Sequence, residues 1–591
     1  MPLNFPQPPV PFLEYGLDRV LFNPGVYQLQ DSVSRVYNFD PYLQNIMPAV
    51  EFDFDSLKEY KTSSEDQTLV QMAKKTQSKY IGSTSSMTSS LAHFHHLLSN
   101  WRPLNLDMMS KGFVGPTTSN QLTNVNKAPS AIFLRWKNGT YAIDADKEYD
   151  NANVLMLLGK SMELLLTQPK SEFERYRKSD PRKIPDAERL APETYQYSTM
   201  RDFLMRSQLD AYDPRLPGNG TFDLKTRAVV TVRMQSHDHE EMTGYELLSN
   251  QGRWFSYEKE WFDMMRSTMV KYMLQARMGQ MNGIFVAYHN VERIFGFQYV
   301  PMADMDRALH GQTDPTLGDQ EFRASLDLMN EVLNKATAKY PEQSLRIHFE
   351  TVDAKQDMPT SLHIFAEPMT EDEIDTIQSK QKAKIAEFER NVMGKEETHL
   401  DKVVDEAAED AQTASAAQPE DDVVGEEASD GFSTDVEQND EALAKAAAED
   451  EGSSDQDTPT MTAESSEELR PLFYATVIVQ STVNGQTPSD GRPSSLRPDD
   501  KWDIDYILKE YNITRHQWAL YEDMKARRRF AYNSREDADD PDAPPLSREE
   551  ERRKNRGDGF MRLLRGMSDK GRQLREKVDE KDEGKTVVLV D

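Results

Sequence analysis

Hydrophobic residues follow two different patterns in the first 200 residues, and one pattern predicts β-strands whereas the other predicts an α-helix. The runs at 131–136 and 140–144 alternate every second residue on either side of Asn138-Gly139. That dipeptide between alternating runs favours a two-residue hairpin turn. The stretch from Asn153 to Leu166 is apolar on nearly every side, which predicts a buried helix.

A hydroxyl-rich loop at 82–86 precedes apolar residues with helical spacing that continue to Trp101. Serine and threonine side chains accept hydrogen bonds from free amides at a helix start, so this loop is predicted to cap a helix. The alternative interpretation is a phosphate-binding loop at the same helix end.

Strands and helices continue to alternate along the rest of the chain. The pattern predicts three strands within 192–233, a Met-rich helix over 255–280, a strand over 283–288, a helix over 320–338, paired strands over 345–350 and 362–367, a strand over 472–480 and a helix over 506–530. This order predicts an α/β (α+β) fold with a mixed central sheet flanked by helices.

The acidic residues are concentrated in one tract. Residues 395–468 contain 25 acidic and three basic residues and a single aromatic, Phe432, so most of the net charge of −31 lies there. Such a composition cannot bury enough apolar surface to fold and predicts disorder. The low pI therefore says little about the folded part or its partners.

The 591 residues exceed one compact core. We divide the chain into an N-terminal arm and helical region (1–130), a core (131–390), a disordered acidic linker (391–470), a strand and helix that complete the fold (471–535), and a charged tail, disordered or helical (536–591).

Composition excludes several classes of site. The chain has no cysteine, which excludes disulfide partners, zinc knuckles and cysteine nucleophiles. No apolar run is long enough to predict a transmembrane helix. The first 11 residues hold five prolines and no lysine or arginine, so no secretory or transit signal is expected there.

The most informative stretch for chemistry is a turn flanked by two acidic residues. Leu216 to Gly220 is dense in turn residues, and folding the chain about it brings Asp210 opposite Asp223. Period-two alternation places Asp223, Lys225 and Arg227 on one face of the second strand. The sequence therefore predicts two carboxylates and a lysine close together.

Two neighbouring carboxylates repel, and a hard divalent cation with oxygen ligands neutralises both. A metal ion there lowers the pKa of water, and a lysine supplies positive charge for phosphodiester hydrolysis. For the Asp-x-Lys tripeptide alone, a surface ion pair is the more frequent interpretation. The upstream aspartate in register and the turn favour the nuclease interpretation.

The residues Asp210, Asp223 and Lys225, on two strands with flanking helices, resemble the PD-(D/E)XK nuclease superfamily. The block RDFLMRSQLDAYDPRLPGNGTFDLKTRA is similar to a signature of the fungal mitochondrial mRNA-degradation Pet protein family, as are the loop at 82–86 and VYNFDPYLQNI from Val36. The resemblance covers about residues 15–390 and 470–530. Leu209 stands where the superfamily name has proline.

The resemblance implies a PD-(D/E)XK nuclease-like core within 131–390 and a metal-dependent 5′-to-3′ exoribonuclease that uses Mg²⁺ or Mn²⁺. It implies single-stranded RNA as substrate, the mitochondrion as location (matrix or inner-membrane-associated, with peripheral membrane attachment left open), and the mitochondrial transcription or RNA-degradation machinery as partner. The alternative is a non-catalytic RNA-processing factor that recruits a separate nuclease.

Carried over residue by residue, the resemblance makes Asp210 and Asp223 metal ligands and Lys225 the residue acting on water or the transition state. The leading helix of such nucleases usually supplies a glutamate, and Glu163 is the best match. It shares a helical wedge with Met156, Gly159 and Lys160, which faces either the metal or solvent.

Substrate contacts are expected from three residues. Arg227 shares the strand face of Asp223, whereas Arg277 and Gln280 end the helix that follows the core strands, where related nucleases place a polar residue against the substrate backbone. For the latter two, a solvated helix end is the competing interpretation. His93, His95 and His96 lack the i, i+4 spacing of a helical metal site and are interpreted as structural or surface residues.

Overall fold

The computed structural model describes residues 2–3, 7–58, 60–115, 118–150, 154–236, 239–355, 358–380, 469–533, 548–582 and 585–589. The acidic linker predicted over 391–470 lies outside the described residues except for its last two. Described residues up to 380 and from 471 onward belong to one structural unit.

Fifteen strands of the described chain form two sheets. They are β1 Pro2–Leu3, β2 Val26–Gln28, β3 Tyr80–Ser83, β4 Ser130–Lys137, β5 Thr140–Ala145, β6 Tyr195–Met200, β7 Phe203–Gln208, β8 Ala211–Tyr212, β9 Thr221–Ala228, β10 Gly283–His289, β11 Ile294–Pro301, β12 Ser344–Val352, β13 Ser361–Met369, β14 Phe473–Val483 and β15 Trp502–Glu510.

Helices of the described chain cover the sheets. They are α1 Gln67–Thr76, α2 Thr84–Ser99, α3 Asn124–Lys127, α4 Val154–Thr167, α5 Lys170–Phe173, α6 Asp186–Arg189, α7 Val230–Met234, α8 Tyr257–Ser267, α9 Met269–Gly279, α10 Met302–His310, α11 Thr316–Lys339, α12 Glu371–Ser379, α13 Arg515–Asn533 and α14 Arg548–Asp582. The mixed α/β class is thereby confirmed. No helix in the described ranges is long and apolar enough to cross a membrane.

The larger sheet has the order β1-β6-β7-β3-β5-β4-β12-β13-β14-β15. The predicted hairpin is confirmed, because Lys137 pairs with Thr140 and both turn residues, Asn138 and Gly139, have positive φ. The strand predicted at 472–480 also joins this sheet, since β14 pairs with β13. β3 lies between β5 and β7, so the segment 1–130 supplies a strand to the same sheet as the segment 131–390.

The smaller sheet has the order β2-β11-β10-β9-β8. β10 is buried along its whole length and runs parallel to β9, which places β9 beside the core. β8 pairs antiparallel with β9, with Ala211 opposite Phe222 and Tyr212 opposite Thr221. One step further along the same register, Asp210 lies opposite Asp223, as the turn predicted.

The strand before Asp210 belongs to the other sheet, which the sequence did not indicate. β7 pairs with β3 and β6, and the chain before the turn contributes only the two-residue β8 to the pairing with β9. The chain therefore passes from the larger to the smaller sheet at Leu209 and Asp210. The catalytic candidates lie at this crossing and not at the end of one long hairpin.

The single helix predicted over 255–280 was wrong, because two helices meet at Thr268. Ser267 Oγ donates to the carbonyl of Asp263 at 2.7 Å, and Thr268 Oγ1 donates to that of Met264 at 3.3 Å. Such bonds from serine and threonine to the preceding turn bend or interrupt helices.

The helix predicted over 506–530 begins nine residues late, since α13 starts at Arg515 and β15 precedes it. Trp502, Ile504 and Tyr506 alternate with Asp503 and Asp505, which is the period of a strand. Residues 502–510 pair along their whole length with β14, so the neighbouring strand makes this segment a strand and not a helix.

The charged tail predicted as disordered or helical is helical over α14, where Phe560 and Leu564 are buried. The backbone N–H of Gly244 donates to Ser568 Oγ at 2.9 Å, which holds this helix against the loop after α7.

Candidate active site and family

A cavity of about 130 Å³ lies where the two sheets approach each other. Its walls come from β7, β9, α4, α9 and the start of α2. Asp210, Asp223, Lys225 and Glu163 all line it. The structure therefore brings together the four residues that the sequence analysis named as catalytic.

Asp223 and Lys225 are buried neighbours on one face of β9. Lys225 Nζ lies 2.9 Å from Asp223 Oδ2, and the same ammonium lies 5.3 Å from the ring centre of Tyr272. The backbone N–H of Leu224 donates to Asp210 Oδ2 at 2.9 Å, which fixes the second carboxylate against the same strand. The three side chains are thus held in place before any ligand binds.

The carboxylates interact strongly. Burial raises the pKa of Asp210 well above its ordinary value of 3.8, and the negative charges of Glu163 and Asp223, together with a hydrogen bond to Asp223, raise it further. The positive charge of Lys225 lowers the pKa of Asp210 but does not offset the effects of burial and of the two neighbouring acids. The cluster of acids therefore favours the binding of a proton or of another cation at Asp210.

The raised pKa of Asp210 predicts a stability effect. An aspartate whose folded pKa exceeds its unfolded value destabilises the fold above that unfolded value, near 3.8, and fully so once the pH passes the folded pKa. In EDTA at neutral pH, Asp210→Asn should raise Tm by on the order of 2 °C. The gain should shrink as pH falls toward 3.8.

Differential scanning fluorimetry from pH 4 to pH 8 measures this difference, with Asp503→Asn on the exposed part of β15 as control. Added Mg²⁺ should raise the Tm of the natural chain and leave that of Asp210→Asn unchanged. A lower Tm for Asp210→Asn at neutral pH in EDTA would contradict the assigned shift.

Glu163 faces the cavity from α4. The four residues of its helical wedge, Met156, Gly159, Lys160 and Glu163, all line the cavity, so the wedge faces inward and not toward solvent. Glu163 Oε2 lies 3.1 Å from Lys160 Nζ, and the glutamate is close enough to Asp210 to raise its pKa. The carboxylate is therefore positioned as a third acid of the site.

Arg227 lies farther along the same face of β9 and is buried. Its Nε and Nη2 have no hydrogen-bond partner among the described residues. Nε lies 3.8 Å from Glu260, which pairs more closely with Arg233. Burial and the neighbouring Arg233 lower the pKa of Arg227 below its ordinary value. A buried guanidinium with free N–H groups in a cavity suits an anionic ligand.

Arg277 and Gln280 are not among the residues that line the cavity. Arg277 Nη2 donates to both oxygens of Asp306 at 2.7 and 2.8 Å, and its Nε donates to Asp319 at 3.2 Å. Gln280 is exposed and ends α9 with a positive φ. The helical pattern located both residues in the last turn but could not show the direction in which that turn faces.

Several cavity residues were not singled out from the sequence. Arg206 is buried, bonded to Asp66 at 2.6 Å and stacked over the ring of Tyr195 at 4.6 Å. It stands two and four residues before Gln208 and Asp210, so strand alternation was the signal that could have found it. Tyr272, Gln275 and His289 come from distant elements and left no local signal.

The hydroxyl-rich loop caps α2, as predicted. Ser83 Oγ accepts from the backbone N–H of Ser86 at 3.2 Å, and Ser86 Oγ accepts from that of Ser83 at 3.1 Å. Ser83, Thr84 and Ser85 also line the cavity, which places the positive end of the α2 dipole beside the acids.

The sequence matches the family model described as "Mitochondrial protein Pet127" over residues 60–334. A protein of Schizosaccharomyces pombe named "mRNA degradation protein pet127, mitochondrial" is 37% identical over 356 residues, which is 60% of this chain and 67% of that protein. The chain belongs to the Pet127 family. The predicted family is thereby confirmed.

A second relative in Saccharomyces cerevisiae, named "Putative mitochondrial translation system component PET127", is 39% identical over 365 residues. That match covers 58% of this chain and 42% of the relative, so the chain spans less than half of that protein. The Pet127 family is described as mitochondrial, as are both relatives, which confirms the mitochondrial location. Every residue lining the cavity lies within the matched segment.

Among solved structures, Rai1 of Scheffersomyces stipitis in complex with (3′-NADP)⁺ and a calcium ion is similar to the chain at 9% identity. The likeness covers 62% of this chain and 87% of Rai1 with a TM-score of 0.27. A likeness at this level supports neither a fold assignment nor an activity for the chain.

Proposed function

We propose that this chain is a metal-dependent ribonuclease of mitochondrial RNA degradation, which hydrolyses single-stranded RNA from its 5′ end. The observation that carries the proposal is the cavity in which Asp210, Asp223, Lys225 and Glu163 meet beside the guanidinium of Arg227. The arrangement of acids and lysine where the chain crosses between the sheets resembles that of a PD-(D/E)XK nuclease-like core. The 5′-to-3′ direction rests on the family resemblance alone.

The residues present fit a hard divalent cation. Asp210 and Asp223 are in hydrogen-bond contact, and the raised pKa of Asp210 marks a place that favours positive charge. Both acids offer oxygen ligands, with Glu163 as the third candidate, and oxygen ligands suit Mg²⁺ or Mn²⁺. When bound, such an ion supplies Lewis acidity and a water of lowered pKa.

The protein's own groups supply position and charge. Lys225 keeps its ammonium 2.9 Å from Asp223, where it can donate to an attacking water or to a phosphate oxygen. The free N–H groups of Arg227 suit a second phosphate oxygen. Tyr272 and the apolar residues of α4 limit the access of bulk water, which strengthens each of these interactions.

RNA degradation as the biological setting is supported by the name of the Schizosaccharomyces pombe relative. The name of the Saccharomyces cerevisiae relative refers to translation, which favours the second candidate, a non-catalytic factor that acts on mitochondrial RNA through partners. Partners of this chain in the transcription or RNA-degradation machinery, and attachment to the inner membrane, stay predictions.

The test is hydrolysis of RNA by the purified chain. Single-stranded RNA labelled at either end is incubated with Mg²⁺, Mn²⁺ or EDTA, and DNA of the same sequence is offered in parallel. Release of the 5′ label as mononucleotide, dependent on metal, supports the proposal. RNA binding without cleavage under all conditions supports the non-catalytic factor, and equal cleavage of DNA would remove the preference for RNA.

Arg227→Met should weaken RNA binding without destabilising the chain. A buried guanidinium with unsatisfied N–H groups contributes little to stability, whereas a charge-assisted contact with phosphate is worth about 1.5–3 kcal/mol, which is roughly ten- to a hundredfold in Kd. The slope of log Kd against log salt should fall by about 0.7, the value for one phosphate of a single strand.

Fluorescence anisotropy in an Asp223→Asn background, which prevents cleavage, measures both quantities for Arg227→Met. Arg201→Met serves as control, because Arg201 is exposed at the β6–β7 turn and pairs with Asp327. An unchanged Kd and salt slope in Arg227→Met would exclude a phosphate contact for this side chain.

A further inference from the structure

A second cluster of potential ligands lies outside the cavity, where three helices meet. His95 lies on α2, His310 ends α10 and Glu321 lies on α11, and all three side chains are buried. His310 Nε2 lies 3.1 Å from Glu321 Oε2, and His95 Nδ1 lies 3.5 Å from the same oxygen. None of the three lines the cavity that holds Asp223.

Within the described part of the chain, the two imidazole nitrogens that face Glu321 make no hydrogen bond of good angular geometry, although His310 Nε2 is close enough to Glu321 for such a bond. His310 Nδ1 lies 2.9 Å from Asp306, whose carboxylate is held by Arg277. An ionised carboxylate only accepts, so Nδ1 of His310 carries the hydrogen and Nε2 presents its lone pair. Two lone-pair atoms 3.1 Å apart repel each other unless a cation lies between them.

The two distances to Glu321 match the spacing of neighbouring ligands around a small metal ion. All three ligand atoms lie within 4.8 Å of one another. Bonds of about 2.0–2.1 Å in a tetrahedral shell separate neighbouring ligands by about 3.3 Å, which lies between the two distances to Glu321. The Asp306 carboxylate behind His310 is the partner that metal-binding histidines usually have, because it fixes the tautomer and the ring orientation.

We propose that His95, His310 and Glu321 form a second metal site that binds a divalent transition metal, with zinc as the best fit. Two imidazoles and one carboxylate favour zinc over Mg²⁺, which prefers oxygen ligands. The ion would join α2 to α10 and α11, so its binding free energy would contribute to folding and not to hydrolysis.

The strongest argument against a metal ion at this cluster is the ion pair between Arg102 and Glu321. It donates to both oxygens of Glu321, at 2.6 and 3.0 Å, so the carboxylate would be shared between the guanidinium and the metal. Arg102 and Arg277 already balance the charges of Glu321 and Asp306. The rival cation is therefore a proton on His310, and the experiment must distinguish a proton from a metal.

The purified full-length chain is incubated with zinc sulfate, freed of unbound metal and measured by plasma mass spectrometry. We expect about one zinc per chain in the natural protein and in Asp223→Asn, and less than about 0.2 in His95→Gln and His310→Gln. His93→Gln is the matched control, because His93 is equally buried on α2 and bonds Thr351 instead. It should keep the zinc.

Cobalt substitution of the natural protein keeps the proposal testable if the histidine variants fold poorly. Co²⁺ in the proposed site should show the intense visible absorption of tetrahedral coordination, and zinc should displace it and raise Tm. Absence of stoichiometric zinc and of this cobalt spectrum in the natural protein would assign the cluster to a protonated His310. Equal zinc in His310→Gln and the natural protein would overturn the proposed ligands.

Discussion

Asp223→Asn should abolish RNA hydrolysis and leave RNA binding intact. Asp223 is the acid that contacts both Asp210 and Lys225, so its loss removes a proposed metal ligand and the carboxylate that pairs with the lysine. We expect the single-turnover rate in Mg²⁺ to fall by about 10³-fold or more. The Kd for RNA should change by less than about threefold, since binding rests on phosphate contacts elsewhere.

The control for this variant is Asp503→Asn. Asp503 lies on a strand and pairs with a lysine, Lys501, at 2.8 Å, but this pair is exposed on β15. The control therefore makes the same chemical change in the same type of ion pair, away from the cavity. The catalytic assignment would be refuted if Asp223→Asn hydrolysed RNA as fast as the natural protein, or if Asp503→Asn lost as much activity as Asp223→Asn.

Lys225→Met should lower kcat by about 10²-fold or more with little change in KM. Its ammonium is buried and directed at Asp223, so under the proposed function we expect it to act on charge that develops during hydrolysis and to contribute little to the ground-state affinity for RNA. Lys225→Arg should restore little activity, because a planar guanidinium does not occupy the position of a compact ammonium.

Initial rates over a range of RNA concentrations separate kcat from KM for this pair of variants. Lys501→Met is the matched exposed control and should retain the natural values. Thermal unfolding of each variant shows whether a lost partner of Asp223 destabilises the fold. A rise in KM with unchanged kcat would reassign Lys225 from the reaction to substrate binding.

The position of the cavity suggests why its acids come from different parts of the fold. Asp210 lies where the chain crosses from the larger to the smaller sheet, whereas Asp223 lies on β9 of the smaller sheet. Glu163 comes from α4 and completes the set of acids. Movement of one sheet relative to the other would therefore change the distances between these acids. The packing of α4 against β9 and the contact of Tyr272 on α9 with Lys225 help to keep those distances constant.

The local parts of the site could be predicted from the sequence. The turn residues between 216 and 220 set the midpoint that pairs Asp210 with Asp223, and the observed register agrees. Alternation along β9 placed Lys225 and Arg227 on the face of Asp223, and all three line the cavity. Both predictions depend on distances of a few residues, where backbone geometry alone determines the outcome.

The sequence predicts less about features that depend on residues far away along the chain, such as the direction of a side chain or the pairing of a strand. From the sequence, the helix face that contains Glu163 could point either to solvent or to a metal ion. The packing of α4 against β9 directs this face into the cavity. Arg277 was assigned to substrate, but Asp306 on α10 lies close enough to bind it. The helix predicted over 506–530 overlaps the last five residues of β15, whose strand structure depends on pairing with β14 across residues 484–501.

By itself, the sequence determined the α/β class, the β4–β5 hairpin and the shared face of Asp223, Lys225 and Arg227. Only the tertiary structure decided that β7 and β9 belong to different sheets, that Glu163 joins the acids, and that His95 meets His310 and Glu321. The physical reason is one of range. Periodicity follows from the geometry of neighbouring peptide units, whereas meetings between distant side chains depend on how the whole chain buries its apolar surface.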